Sequence, residues 1–305
     1  MKILVATDGS DQADLGVDLV AGIAWPDPTE IVAIEVVPSG AGLFGGPWPA
    51  IAIVEAEAIE TEIRLAAERT VEAARSRLAG QGRDVRAAVL SGRAASAIVD
   101  EARRMAADLI VLGSRGHGAI ERMLLGSISA EVVDHAPTPV LIARGTTIER
   151  VVLAWDGSPG ARLAADLVRD WPVFSRSAVR IVSIADVRAP WWTGLEPATP
   201  EVIEMYVETG DSVRAHRDEL TREMEAELRA AGLAAVADRR EGDAAGEIIA
   251  AADSAGADLI VMGTHGRTGL ARLVIGSVAR NVVRHATCSV LVAPDRADRP
   301  NRNAA

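Results

Sequence analysis

Three observations predict an α/β fold of two tandem doubly wound domains, each a Rossmann-like five-stranded parallel sheet. The chain is written twice, short apolar runs alternate with helical patterns, and glycine-rich segments fall where strands end. VATDGS at 5–10 returns as LAWDGS at 153–158, and ADLIVLGSRGHG at 107–118 returns as ADLIVMGTHGRTG at 257–269. LLGSISAEVVDHAPTPVLIA at 124–143 returns as VIGSVARNVVRHATCSVLVA at 274–293. The offset is 148 residues for the first pair and 150 for the others. A repeat of this period is one folding unit used twice.

In the first copy, Ile3–Ala6 reads as a strand and DGS as the opening of a helix. Ile31–Val37 is the second strand. Ile59, Ile63, Ala67, Val71, Ala74 and Leu78 then recur at three- and four-residue steps, which is a helix with one apolar face. Val85–Leu90, Leu109–Leu112 and Val140–Ala143 complete the strands. Their nearly unbroken apolar character suits strands covered on both faces. The second copy repeats the helix with Val213, Leu220, Met224, Leu228 and Ala231. Alternating strands and helices build a parallel sheet with helices on both sides, and such sheets bind ligands beyond the carboxyl ends of their strands. The domains are read as 1–144 and 149–294, joined by a short polar stretch, with 295–305 a polar, Arg-rich flexible tail.

Composition narrows the classes of function. A net charge of −11 argues against nucleic acid or an anionic membrane as the main partner. No stretch reaches the roughly eighteen apolar residues of a bilayer span, and MKILVATDGS does not read as a secretory signal. Cys288 is the only cysteine, so no intrachain disulfide forms and a cytoplasmic location is expected. The five histidines lack metal-ligand spacing; His135 and His285, at the end of the last helix of each copy, read as structural. Lys2 is the only lysine, and neither a P-loop nor a nucleophile elbow is present.

The chemistry concentrates in the glycine segments. Gly113-Ser114-Arg115-Gly116 is followed by nine residues and then by Gly126, Ser127 and Ile128, which open a helix. The second copy is Gly263-Thr264-His265-Gly266, nine residues, and Gly276, Ser277 and Val278. Glycines of positive φ would bring bare N–H groups round an anion, and a helix N-terminus would add further donors.

This pattern, with an Asp at the end of the first strand, closely resembles the ATP-binding universal stress proteins, and does so in both copies. The resemblance implies an adenine nucleotide alpha hydrolase-like fold that binds ATP, with Mg²⁺, as a regulator or sensor in stress response. Asp8 and Asp156 then sit near the ribose or a phosphate-bound metal, although a helix N-cap is their alternative role. Val36 and Ile184 match the position whose backbone meets adenine, and Leu112 and Met262 the apolar residue beside it; core packing explains these four nearly as well. Arg115 or Arg122, with Arg267 or Arg272, would meet the triphosphate charge. No base for in-line attack stands out, so hydrolysis is expected to be slow or absent. Weak ATPase or phosphotransfer activity, and a non-binding pseudo-dimer, are the alternatives.

The halves are expected to pair through Val140–Ala143 and Val290–Ala293, and tandem chains to form a homodimer. Trp155 replaces Thr7 beside the acid, where it would stack on a nucleotide, fill the pocket or pack in the core. Occupancy of the first copy's site is therefore the safer expectation. The aromatic loops at 42–48 and 190–194 read either as lids or contacts for a protein partner, or as anchors for a long crossover.

Overall fold

The computed structural model describes residues 1–39, 50–80, 83–114, 116, 125–185, 200–266 and 275–294, without the side chains of 50–57, 200–210 and 213. Arg115, Arg122, Arg267, Arg272, both aromatic loops and the tail lie outside the described residues.

The first half runs β1 (Lys2–Ala6), α1 (Asp11–Gly22), β2 (Glu30–Val37), α2 (Ala50–Leu78), β3 (Asp84–Ser91), α3 (Ala94–Met105), β4 (Leu109–Gly113), α4 (Ser127–His135) and β5 (Val140–Ala143). The second half repeats it with β6 (Arg150–Ala154), α5 (Pro159–Asp170), β7 (Ala178–Ala185), α6 (Pro200–Ala230), β8 (Ala234–Glu241), α7 (Ala244–Ala255), β9 (Leu259–Gly263), α8 (Ser277–His285) and β10 (Ser289–Ala293). The ten strands form one sheet in the order β3-β2-β1-β4-β5-β10-β9-β6-β7-β8. Every neighbouring pair is parallel except β5 with β10, which is antiparallel.

Strand alternation divides the core into two layers. Ile3 and Val5 of β1 face α1, α2, α5 and α6, whereas Leu4 and Ala6 face α3, α4, α7 and α8. Both layers run unbroken from the first half to the second.

The seam places Leu141 opposite Leu291, with Ile142 against Val290 and Val140 against Val292. The repeat makes Leu141 and Leu291 equivalent, so the pseudo-twofold passes between them. Ile142 and Val290 are wholly buried there. Each such side chain contributes about 1.5–3 kcal/mol relative to exposure. Arg144, just past β5, adds a polar tie. Its Nη2 donates to the Val283 carbonyl of α8 at 2.5 Å, its Nη1 to the Cys288 carbonyl at 3.4 Å, and its main-chain N–H to Ser289 Oγ at 3.1 Å. A guanidinium at late carbonyls of α8 also meets the negative end of that helix dipole. Arg280 of α8 pairs with Asp134 of α4 across the same seam, at 3.6 Å.

Cys288 lies beside this seam, and burial pushes its thiol up to about 11. An upward shift keeps the group protonated, so its thiolate fraction near pH 8 falls about a hundredfold below that of an unshifted thiol. Alkylation by iodoacetamide at pH 8 should be correspondingly slow in the folded protein and reach the ordinary rate in denaturant. Equal rates in both states would contradict this packing.

Candidate functional site

Each half builds a cleft at the carboxyl ends of its first and fourth strands, where the strand order reverses. The antiparallel seam points these ends in opposite directions, so the two clefts open on opposite edges of the sheet.

The turn after the first strand is built alike in both copies. Asp8 Oδ1 accepts from the Ser10 main-chain N–H at 3.1 Å and from its hydroxyl at 2.6 Å; Asp156 Oδ1 accepts from the Ser158 N–H at 2.9 Å. The helix caps are the serines themselves. Ser10 Oγ accepts from Ala13 N–H and Ser158 Oγ from Ala161 N–H. The N-cap role considered for Asp8 and Asp156 is thus corrected: each acid closes the turn that presents the capping serine. The left-handed residues of these turns are Gly9 and Gly157, with φ of 74° and 75°.

The signature glycines work differently from the expectation. None of Gly113, Gly116, Gly263, Gly266 and Gly276 has a left-handed φ, and Gly126 sits at −72°. Their need for glycine is close approach. A Cβ on Gly113 would lie 2.5 Å from the Gln12 carbonyl oxygen, and one on Gly263 would lie 2.3 Å from the Gly160 carbonyl carbon. On Gly116 and Gly266 it would meet Asp8 Oδ2 at 2.2 Å and Asp156 Oδ2 at 2.9 Å. Gly126 N–H donates to the Ser114 carbonyl (2.7 Å) and Gly276 N–H to the Thr264 carbonyl (2.8 Å). α4 and α8 then start with glycine at the N-cap and no side-chain cap, which leaves their first N–H groups facing the cleft end.

The second cleft is the larger, with a cavity of about 510 Å³ against about 90 Å³ in the first. Only the former lies in the range of roughly 300–1,000 Å³ usual for small-molecule sites. Apolar side chains line the second cavity, among them Val182, Ile184, Ile248 and Met262, together with Gly263, His265, Gly266, Gly276 and Ser277; Asp156 and Val278 also line it. Among the described residues, the structure thus brings together Asp156, Ile184, Met262, Gly263, His265, Gly266, Gly276, Ser277 and Val278 of the second copy. In the first, Asp8, Val36, Leu112, Gly113, Gly116 and Ile128 line the cleft, while Gly126 and Ser127 stand outside its lining at the helix start.

Trp155 belongs to the core. It is 7% exposed, packs in the α1, α2, α5, α6 layer, and donates its indole N–H to the Leu220 carbonyl at 3.0 Å. Its edge touches the cavity without closing it. His135 and His285 are each tied to a carbonyl four residues earlier, on Glu131 and Asn281.

Arg217 and Thr264 are among the lining residues that sequence reasoning missed. Arg217 of α6 reaches over the second cavity and donates from Nη1 to the Asp156 carbonyl at 2.6 Å. Thr264 is 7% exposed, and its hydroxyl has no hydrogen-bond partner among the described residues. Its counterpart Ser114 donates to Gln12 Oε1 at 2.9 Å, and the second copy has Gly160 in place of Gln12. That repeat-to-repeat difference was the available signal for Thr264. Among the described residues, no group of three or more His, Cys, Asp or Glu forms a metal site, and no helix is long and apolar enough to cross a membrane.

The sequence model of the universal stress protein family matches residues 1–144 and again 147–294. A universal stress protein from Mycolicibacterium smegmatis is 27% identical over 302 residues, covering 96% of this chain and 97% of that one. One from Mycobacterium tuberculosis is 31% identical over 203 residues, covering 61% of this chain and 62% of its own. A crystal structure of a universal stress protein from Archaeoglobus fulgidus superimposes with a TM-score of 0.65 at 18% identity, covering 96% of this chain and 98% of that one; it speaks to the fold.

Proposed function

Since the chain belongs to the universal stress protein family, with the family's domain present twice, we propose that it binds ATP and acts as a nucleotide-dependent regulator or sensor in stress response. The observation that carries this reading is the second cavity and its mixed lining. Its apolar side chains suit a base, and the Thr264 hydroxyl and the start of α8 offer donors for phosphate oxygens. Thr264 fits the proposal because a buried hydroxyl without a partner costs about 1–3 kcal/mol, and a ligand oxygen relieves that cost.

Mg²⁺ is part of the proposal. It would share the nucleotide's phosphate oxygens, keep several waters, and take one carboxylate, Asp156 in the second site or Asp8 in the first. Bound there, it would supply charge to a chain whose only lysine is Lys2. We read binding with slow or no turnover, because hydroxyls and main-chain N–H groups hold phosphate without removing a proton from water. A cytoplasmic location, a homodimer of tandem chains and a protein partner that reads the nucleotide state complete the reading.

Acid extraction of the purified protein, followed by calorimetric titration with Mg·ATP, tests it. At least one ATP should bind per chain. Gly266→Val should weaken the second site at least tenfold, because its side chain displaces the Asp156 carboxylate. No binding at millimolar Mg·ATP would refute the proposal.

A further inference from the structure

A hollow of about 130 Å³ lies at the seam, outside both clefts. Leu163, Leu167 and Trp171 give it apolar walls, Asp166 and Asp170 give it carboxylates, and Pro294 stands at its rim. It falls well below the roughly 300–1,000 Å³ of small-molecule sites, so a side chain of a polypeptide suits it better than a free metabolite.

The repeat shows what covers the equivalent place in the first half. The offset of 148 residues that relates α1 to α5 sets Leu15, Asp18, Leu19 and Gly22 against Leu163, Asp166, Leu167 and Asp170. The chain leaving β5 passes against the end of α1: the Thr146 carbonyl lies 3.9 Å from where a Cβ on Gly22 would stand. The offset of 150 residues that relates β5 to β10 makes Arg296 the counterpart of Thr146. The two equivalences together pair Arg296 with Asp170.

Charge and reach agree with that pairing. Arg169 meets Asp170 at 2.7 Å, Asp166 at 2.9 Å and Glu227 at 2.6 Å, and Arg162 meets Glu227 and Asp166. Among the described residues of this network, three acids share two guanidiniums, which leaves an excess of negative charge. The residues after Pro294 carry the opposite excess, with Arg296, Arg299 and Arg302 against Asp295 and Asp298. A carboxylate has about four acceptor sites, so acids that meet Arg169 also accept from a second guanidinium. Two residues of chain span at most about 7 Å, which keeps Arg296 close to the rim at Pro294. Pro294 also stands at the repeat position of Arg144, whose guanidinium ties β5 to α8, and proline has no side-chain donor to repeat that tie.

We propose that the segment from Asp295 to Arg299 docks in this hollow as an intramolecular strap, with the Arg296 guanidinium on the Asp166 and Asp170 carboxylates. The strap fastens the second side of the seam as Arg144 fastens the first. The proposal is independent of nucleotide binding.

Electron paramagnetic resonance of the full chain with a nitroxide at position 297, attached through Ala297→Cys in a Cys288→Ser background, tests it. Dilute protein should give the broad lines of an immobilised label. Arg296→Gln should convert them to the sharp lines of a freely moving chain, whereas Arg86→Gln, on the far edge strand β3, should leave them broad. In unlabelled protein, Arg296→Gln and Asp170→Asn should each lower the urea midpoint, and together by less than the two shifts added, as contacting residues do. Sharp lines without Arg296→Gln, broad lines that survive it, or additive midpoint shifts would each overturn the proposal. Broad lines that appear only in concentrated protein would assign the hollow to a second copy and overturn it as well. If Asp170→Asn does not fold, the label with and without Arg296→Gln decides alone, since that change leaves every described residue in place.

Discussion

Alanine in place of Gly263 is expected to destabilise the protein by at least about 2 kcal/mol and to abolish ligand binding in the second half. A Cβ there would lie 2.3 Å from the Gly160 carbonyl carbon, 2.6 Å from its oxygen and 2.8 Å from the Ala161 nitrogen. All three are main-chain atoms in the first turn of α5, so no rotamer change relieves them. Either β9 or α5 must move, and both carry the cavity wall. Urea unfolding followed by circular dichroism measures the stability term, and ATP titration the binding term. Gly266→Ala is the contrast, because its Cβ would meet the end of a side chain, Asp156 Oδ2, at 2.9 Å. That variant should lose affinity with a stability change below about 1 kcal/mol. A Gly263→Ala protein as stable as wild type would disprove the close-approach account.

Trp155→Thr, which restores the residue of the first copy, should cost about 3–5 kcal/mol. The indole is buried, packs across the core layer, and ties β6 to α6 through its N–H bond to the Leu220 carbonyl. Threonine leaves that volume empty and the carbonyl unmatched. A stacking residue would behave differently: its loss would lower nucleotide affinity and leave the unfolding curve almost in place. Chemical denaturation of the variant beside its ATP affinity separates the two roles, and an unchanged denaturation midpoint would show Trp155 to be a ligand contact.

The strands were legible because each is covered on both faces, so apolar runs such as Leu109–Leu112 had no other place to go. The last-strand seam was legible for a related reason: unpaired edges invite pairing, and Val140–Ala143 and Val290–Ala293 were the apolar edges available. The site was legible only in part. Spacing marks where glycines recur, but steric need and left-handed backbone are indistinguishable in a string of letters. The left-handed turns proved to be Gly9 and Gly157, while Gly113 and Gly263 are glycines because a helix start lies against them. Arg217 was invisible because its place over the cavity depends on how α6 crosses the sheet, and neighbouring residues do not encode that crossing. The fate of Trp155 turned on which face of β6 it occupies, and strand alternation put it opposite Ala154, on the side away from most of the cavity.

The Leu141–Leu291 seam carries a consequence for what such a chain can become. Two separate copies joined about a true twofold are obliged by symmetry to have identical sites, since any substitution appears in both. Here the twofold is only approximate, and a single polypeptide supplies both sides of it. Each cleft is then at liberty to drift on its own while the shared sheet keeps the pair in fixed one-to-one proportion. The differences at Gln12 and Gly160, Glu35 and Ser183, and Ala67 and Arg217 are changes of that kind. Duplication within one chain has freed the two clefts from the identity that an exact twofold would impose.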